Sequence, residues 1–325
     1  MKAWQVEKFC EPREMTLVET PIPAPGEGQI LIRNQAAGIN FFDILVIQGK
    51  YQWRPAFPFT PGREVAGIVE AAGPGVSSFA AGDRVMADVE SGGYAEYSLA
   101  PVKRTWPIPE GMGFAEASGF LIVYQTSYLA LLHRAALKAG EWLLVHAGAS
   151  GVGMSAIQIG KTLGARVIAT AGSQEKLDFC LAQGADDVLS YRDPGWVQRI
   201  KDLTGEGADV IYDPVGGDIF DLSTKCIAPQ GRLVVVGFAS GRIPAIAANR
   251  VLLKNISVVG SYYGRYATEH PSFFAEAQRQ LDQWYAEGKI GPAVAKTYGL
   301  GDAKQALDDI ASRKVASKAA LTMAG

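Results

Sequence analysis

From residue 142 to residue 261 the chain repeats one alternation, short apolar runs separated by longer stretches with helical spacing. The apolar runs lie at 142–146, 166–171, 187–191, 209–213, 232–237 and 256–261. Helical stretches at 154–163, 174–183, 196–203 and 219–227 separate them, the first two stopping at Gly164 and Gly184, residues suited to the left-handed turn after a helix. Strands that alternate with crossover helices must run parallel, so this half predicts an α/β, doubly wound parallel sheet.

The first run opens into Ala147-Gly148-Ala149-Ser150-Gly151-Val152-Gly153 before its helix begins. Glycine there lets the backbone close on a bulky anion, and the free N–H groups and dipole of the first helical turn point at it. Ser150 stands at the middle glycine of Gly-x-Gly-x-x-Gly, which makes the motif weak alone. With a strand before it, a helix after it and five more strands following, it predicts a dinucleotide site. An NAD site carries an acid about 20 residues on, at the end of the second strand, to accept from the ribose hydroxyl. That stretch here is Thr170-Ala171-Gly172-Ser173, with no acid, while Ser173 can donate and Lys176 can supply charge. Tyr191 and Arg192 end the third strand where adenine or its phosphate would pass. The pattern favours NADP(H), a solvated helix face being the other reading of Lys176 and Arg192.

The first ~122 residues differ, being rich in Gly and Pro with short β-like runs at 29–33 and 64–70 and turns at Pro25-Gly26 and Gly73-Pro74-Gly75. They predict a mainly antiparallel β domain. The tail offers helices at 271–287 and 303–312 and a strand at 318–322. A length of 325 residues fits two domains of ordinary size. With 31 Lys+Arg against 33 Asp+Glu there is no excess of positive charge to select nucleic acid or an anionic membrane. The longest apolar stretch, 120–132, is broken by Gln125, Thr126 and Ser127, and the start at Met1-Lys2-Ala3-Trp4 lacks a signal-peptide pattern. We expect a soluble, cytoplasmic protein. Cys10, Cys180 and Cys226 are scattered, as are His133, His146 and His270, so neither disulfides nor a metal site is expected.

Ordered motifs along the whole chain carry a resemblance. They are Gly38-Ile39-Asn40-Phe41-Phe42-Asp43, Pro61-Gly62-Arg63-Glu64-Val65-Ala66-Gly67, Gly82-Asp83-Arg84-Val85, Gly93-Tyr94-Ala95-Glu96-Tyr97, the glycine turn and Asp213-Pro214-Val215-Gly216-Gly217. In them the chain resembles the zinc-free quinone oxidoreductase (zeta-crystallin-like) branch of the medium-chain dehydrogenase/reductase superfamily. The resemblance implies a GroES-like substrate domain over 1–122, completed by 266–325, and a Rossmann NADP(H)-binding domain over 123–265, with the active site in the cleft. It also implies a homodimer. Zinc-dependent relatives carry a Cys in the first motif, where this chain offers Asn40 and Asp43, and a His in the second, which Arg63 replaces; the four-cysteine zinc loop is missing as well, so the resemblance too implies no metal.

Position by position, the resemblance puts Asn40 and Tyr51 against the substrate and Thr126 near the nicotinamide amide. A second tyrosine of some relatives is Leu45 here. Ser150, Gly151, Val152 and Gly153 would hold the pyrophosphate; Gly172, Ser173, Lys176 and Tyr191 would surround the adenosine phosphate, with Arg313 as a second cation. Val235, Val236, Gly237 and Phe238, and Ser261, Tyr262 and Tyr263, would flank the nicotinamide and its ribose. Tyr262, Tyr263 and Arg265 either shape the pocket or form a packed aromatic cluster, and His146 reads as structural. Without a Lewis acid the chemistry favours direct hydride transfer from NADPH to an electron-poor acceptor. The leading reading is an NADPH-dependent quinone oxidoreductase. The alternatives are reduction of the C=C bond of α,β-unsaturated carbonyls or enoyl thioesters, and an NADPH-binding protein without turnover.

Overall fold

A computed structural model describes residues 1–323. Its contacts divide the chain into two units, residues 1–122 joined by the tail from 292 on, and residues 123–291. In chain order the first unit begins with an antiparallel pair, β1 (Lys2–Gln5) and β2 (Thr16–Glu19). There follow β3 (Gln29–Ile39), α1 (Phe41–Ile47), β4 (Glu64–Ala72), β5 (Arg84–Asp88), β6 (Tyr97–Pro101), β7 (Thr105–Pro107) and α2 (Phe114–Ala117). Helix α3 (Leu121–Tyr128) leads into the second unit. That unit runs β8 (Trp142–Val145), α4 (Gly151–Thr162), β9 (Arg166–Ala171), α5 (Gln174–Ala182), β10 (Asp187–Ser190), α6 (Trp196–Thr204), β11 (Ala208–Asp213) and α7 (Gly217–Cys226). It ends with β12 (Ile227–Val235), α8 (Ala248–Lys254), β13 (Ser257–Gly260), α9 (Tyr263–Glu269) and α10 (Pro271–Ala286). The tail adds β14 (Val294–Gly299), α11 (Ala303–Ala311) and β15 (Lys318–Thr322).

In the second unit six strands form one sheet in the order β10-β9-β8-β11-β12-β13, every pairing parallel. Counted within the unit this is the doubly wound order 3-2-1-4-5-6, which reverses direction between β8 and β11 and opens a crevice at the strands' carboxyl ends. Strand residues such as Leu143, Leu144, Val167, Ile168, Val210 and Ile211 are fully buried because helices cover both faces. The first unit is a mainly antiparallel sheet, in which β3 pairs with β4, β6 and the tail strand β15.

The expected return to the first unit at residue 266 lies at 292 instead. Helix α10 buries Phe274, Ala277, Leu281 and Trp284, and its Gln278 accepts from Gln125 Nε2 at 2.9 Å. Gly291 is held by Gln158, donating to its Oε1 at 2.9 Å and accepting from its Nε2 at 3.0 Å. Apolar burial and amide pairing therefore keep 266–291 with the parallel sheet. No helix among the described residues is long and apolar enough to cross a membrane.

Candidate functional site

In the second unit the carboxyl ends of the parallel strands collect the residues singled out for a dinucleotide. Strand β8 stops at Val145, and the turn 146–150 delivers the chain to α4. Ser150 caps that helix from an extended conformation, its Oγ accepting from Gly153 N–H at 3.1 Å. The backbone N–H groups of Gly151 and Val152 belong to the first helical turn, where no carbonyl of the helix can reach them. A Cβ on Gly153 would overlap the backbone carbonyl of Ala147, so this approach of helix to turn requires glycine.

At the end of β9, Gly172 is buried and Ser173 exposed, and Lys176 is half-buried in the first turn of α5. A Cβ at Gly172 would overlap Tyr191 Oη, so the tyrosine closes over this glycine. Val235 ends β12, and Val236, Gly237 and Phe238 follow it, half-buried. After β13 come Ser261, buried, Tyr262, exposed, and Tyr263, buried with its hydroxyl donating to Gln125 Oε1 at 3.1 Å. Thr126, 7 % exposed, is the neighbour of Gln125 on α3. Arg313 is the exception, for it lies in the tail and so in the other unit.

Two polar atoms at this edge lack protein partners although buried, Ser261 Oγ and Asp213 Oδ2. Asp213 Oδ1 accepts from Val215 and Gly216 N–H at 2.8 and 3.0 Å, yet burial still pushes the carboxyl above its ordinary value. A buried polar atom left unsatisfied is costly, so these atoms mark a place suited to a polar ligand. With the first-turn donors of α4 and the space kept open by glycine, the edge fits a pyrophosphate-bearing dinucleotide. His146 lies outside this set. Its Nδ1 meets Thr170 Oγ1 at 2.9 Å and its Nε2 meets Ser223 Oγ at 2.8 Å, and burial lowers its titration to about 3.

In the first unit Asn40 stands at the N-cap of α1, with its side chain turned to partners outside the helix. Its backbone N–H donates to Asp43 Oδ2 at 2.8 Å, and Tyr94 Oη donates to the same oxygen at 2.9 Å. Burial raises the Asp43 carboxyl to about 6, although Asn40, Tyr94 and Lys318 pull the other way. The Asn40 side chain meets Glu64 and Lys318, both buried. A small pocket beside it is lined by Phe42, Asp43, Tyr51, Trp53, Phe59 and Arg63, among others, and Tyr51 stacks on Phe42 with ring centroids 5.6 Å apart. Arg63 grips Asp88 through Nε at 2.7 Å and Nη2 at 3.0 Å. Burial would raise the Asp88 carboxyl, but the Arg63 and Arg104 charges outweigh it and hold it below its ordinary value. Among the described residues no group of three or more His, Cys, Asp or Glu is arranged to hold a metal ion.

Lys318, Glu64 and Tyr94, which meet Asn40 or Asp43, are not among the residues that the sequence pattern singles out. Lys318 carried one visible signal, a lysine opening the otherwise apolar strand Lys318-Ala319-Ala320-Leu321.

Residues 26–110 match the family model of the alcohol dehydrogenase GroES-like domain, and residues 151–279 that of the zinc-binding dehydrogenase. The quinone oxidoreductase-like protein 2 homolog of Nematostella vectensis is 38 % identical over 90 % of this chain and 81 % of its own length. The quinone oxidoreductase of Sus scrofa is 37 % identical over 95 % of this chain and 94 % of its own. The structure of Escherichia coli quinone oxidoreductase complexed with NADPH superposes with a TM-score of 0.92 at 32 % identity, covering 99 % of this chain and all of that one.

Proposed function

The chain belongs to the quinone oxidoreductase (zeta-crystallin-like) branch of the medium-chain dehydrogenase/reductase superfamily, and on that premise we propose that it reduces quinones with NADPH, without zinc. The observation that carries the cofactor reading is the convergence of the glycine turn, Gly172, Lys176 and the orphaned Ser261 hydroxyl on one edge of the parallel sheet. When bound, NADPH supplies the hydride. Ser150, Gly151, Val152 and Gly153 bind its pyrophosphate through first-turn N–H groups. Gly172, Ser173, Lys176 and Tyr191 hold the adenosine phosphate, and the missing acid at the end of β9 spares a 2′-phosphate a repelling charge. Val235 to Phe238 and Ser261 to Tyr263 flank the nicotinamide half, and Thr126 orients its amide.

On the acceptor side, Asn40 and Tyr51 present hydrogen-bond donors to the oxygen that gains charge as hydride arrives. Zinc independence is supported by the donor set, since a guanidinium offers a metal no lone pair and Arg63 is committed to Asp88. The matching family model carries zinc in its description, but Arg63 and Asn40 are poor substitutes for the His and Cys of zinc-dependent relatives. A homodimer is supported by the open edge strand β13, where Val258 is 38 % exposed beside Leu252 and Leu253 of α8 at 73 % and 78 %. Three free cysteines, two of them buried, suit the reducing cytoplasm.

The test is NADPH oxidation against benzoquinone, phenanthrenequinone, an enal, an enone and crotonyl-CoA, with NADH in parallel and metal chelator present. Quinone turnover that prefers NADPH and survives chelation is expected. Turnover confined to the unsaturated carbonyls would move the chain to the alkene reductases, and NADPH binding without any turnover would leave a binding protein. The phosphate reading is tested by Lys176→Ala, expected to raise the NADPH KM roughly 10-fold, the worth of one charge-assisted contact, while leaving NADH unchanged. Equal effects on both cofactors would remove Lys176 from the phosphate site.

A further inference from the structure

Three strands that are remote in sequence bring Asn40, Glu64 and Lys318 to one point inside the first unit. Asn40 follows the last residue of β3, and Glu64 opens β4 opposite Gly38. Lys318 opens β15, whose next residue, Ala319, pairs with Ile39. Gly38 lets them meet: a Cβ there would lie 2.9 Å from Glu64 Oε2 and would overlap the Ser118 carbonyl. Lys318 is 2 % exposed and Glu64 0 %.

The contacts fix the Asn40 amide by chemistry. An ammonium can only donate and an ionised carboxylate can only accept, so the two ends of the amide are distinguished. Lys318 Nζ donates to Asn40 Oδ1 at 2.7 Å, and its other donors reach the Ile39 carbonyl at 3.1 Å and Glu64 Oε2 at 3.2 Å. Asn40 Nδ2 donates one hydrogen to Glu64 Oε2 at 3.2 Å. Glu64 Oε1 is itself held by the Ile122 N–H at 3.0 Å. The carbonyl end of Asn40 is thus occupied by a cation, and the amino end keeps its second hydrogen.

We propose that Lys318, with Glu64, is a positioning residue that locks Asn40 as a donor toward the acceptor's oxygen. The lysine blocks the flipped amide, which would set Nδ2 against an ammonium, and its charge polarises the amide so that the remaining N–H donates more strongly. A flipped Asn40 would present a carbonyl to an oxygen that is becoming negative, so the lock acts in the hydride-transfer step more than in binding. This inference rests on the reading of Asn40 as the residue that meets the acceptor.

Lys318→Met alone strands Glu64 as an unpaired buried carboxylate, so the variant to build is Lys318→Met/Glu64→Gln, which removes both charges together. Its kcat with a quinone should fall roughly 10-fold with the NADPH KM unchanged, against roughly 100-fold for Asn40→Ala, the usual loss for one such donor. Added to Asn40→Ala, the charge-free pair should cause no further fall, since its effect passes through Asn40. A further fall of the same 10-fold would overturn the proposal and make the pair merely structural. The lock also has a readout without turnover. In 1H–15N spectra the Asn40 side-chain amide, identified by its loss in Asn40→Ala, should be displaced and slow to exchange in the wild type and revert toward free-amide behaviour in the charge-free variant. An unchanged amide signal would overturn the lock even if no quinone is reduced, whereas a changed signal without quinone turnover would retain it and reject the assigned reaction.

Discussion

Asp43 and His146 are both buried, and burial moves their titrations in opposite directions. For Asp43 it raises the carboxyl to about 6, above the ordinary ~4 of an unfolded chain. The folded state then keeps a proton that the unfolded chain has released, so this group's contribution is fully present below about pH 4 and is lost as pH rises through about 6. For His146 burial lowers the titration from 6.5 to about 3, so its contribution is present above 6.5 and lost as pH falls toward 3. Asp43→Asn, which keeps an acceptor for Asn40 and Tyr94, should therefore gain stability relative to the wild type between about pH 4 and pH 6, by roughly 1–3 kcal/mol. His146→Gln should gain relative to the wild type in the opposite direction, as pH falls. Urea denaturation across this range reads both, and a pH-independent Asp43→Asn difference would show that the carboxyl does not titrate there.

At the scale of the element, the start of α4 sets two effects against each other. Alanine at position 153 would favour the helix by about 1 kcal/mol over glycine. Its Cβ would meet the backbone carbonyl of Ala147, which cannot move without opening the turn, and such overlap costs roughly 1–3 kcal/mol. The steric term wins, so Gly153→Ala should lower the melting temperature and weaken NADPH binding at least about 10-fold. Gly172→Ala meets only the end of the Tyr191 side chain, which can swing aside, so it should weaken NADPH while leaving the fold intact. Equal melting losses in the two variants would contradict that distinction. The same contrast between local and remote signals explains what could be read from the chain. Strands 166–171 and 318–322 were legible to the residue because apolar runs end there at turn formers or a change of pattern. The helical stretch from Leu121 to Arg134 carries no helical signal in the sequence, because residues such as Leu121, Tyr124, Gln125, Ser127 and Leu131 are buried on every side and leave no amphipathic period. Strand β12 begins at Ile227, five residues before the expected 232, because Pro229-Gln230-Gly231, with Gln230 at φ 62°, forms a bulge where the register with β11 jumps from Ala208–Ile227 to Val210–Arg232, so the turn signal interrupts the ladder without ending the strand. Lys318 escaped because its partners Asn40 and Glu64 lie 278 and 254 residues away, and no local pattern encodes that pairing.

For the whole molecule the question is what covers β13. A sheet edge carries unpaired backbone donors and acceptors, and proteins that stay monomeric blunt such edges with charge, proline or a covering element. Here Ser257-Val258-Val259-Gly260 itself carries neither charge nor proline, although Arg134 Nε donates to the Gly260 carbonyl at 2.9 Å, and the neighbouring Leu252 and Leu253 are among the most exposed large apolar side chains described. We propose that a second copy of the chain covers this edge, since an exposed apolar cluster beside an edge strand suits an interface between copies. A dimer joined there would extend the parallel sheet of each protomer across a two-fold axis, pairing β13 with its own copy antiparallel, so that the same residues meet on both sides. The chain of 34.6 kDa should accordingly sediment at twice that mass. Val258→Lys places like charges near the axis and, with Leu253→Asp breaking the apolar rim, should yield the monomer. The substitutions lie outside the residues proposed to bind NADPH, so the monomer should still quench tryptophan fluorescence with the cofactor at a similar midpoint. A dimer that survives both changes would place the interface elsewhere and leave the exposed leucines of α8 for another partner, whereas a wild type that sediments as a monomer would reject the dimer itself.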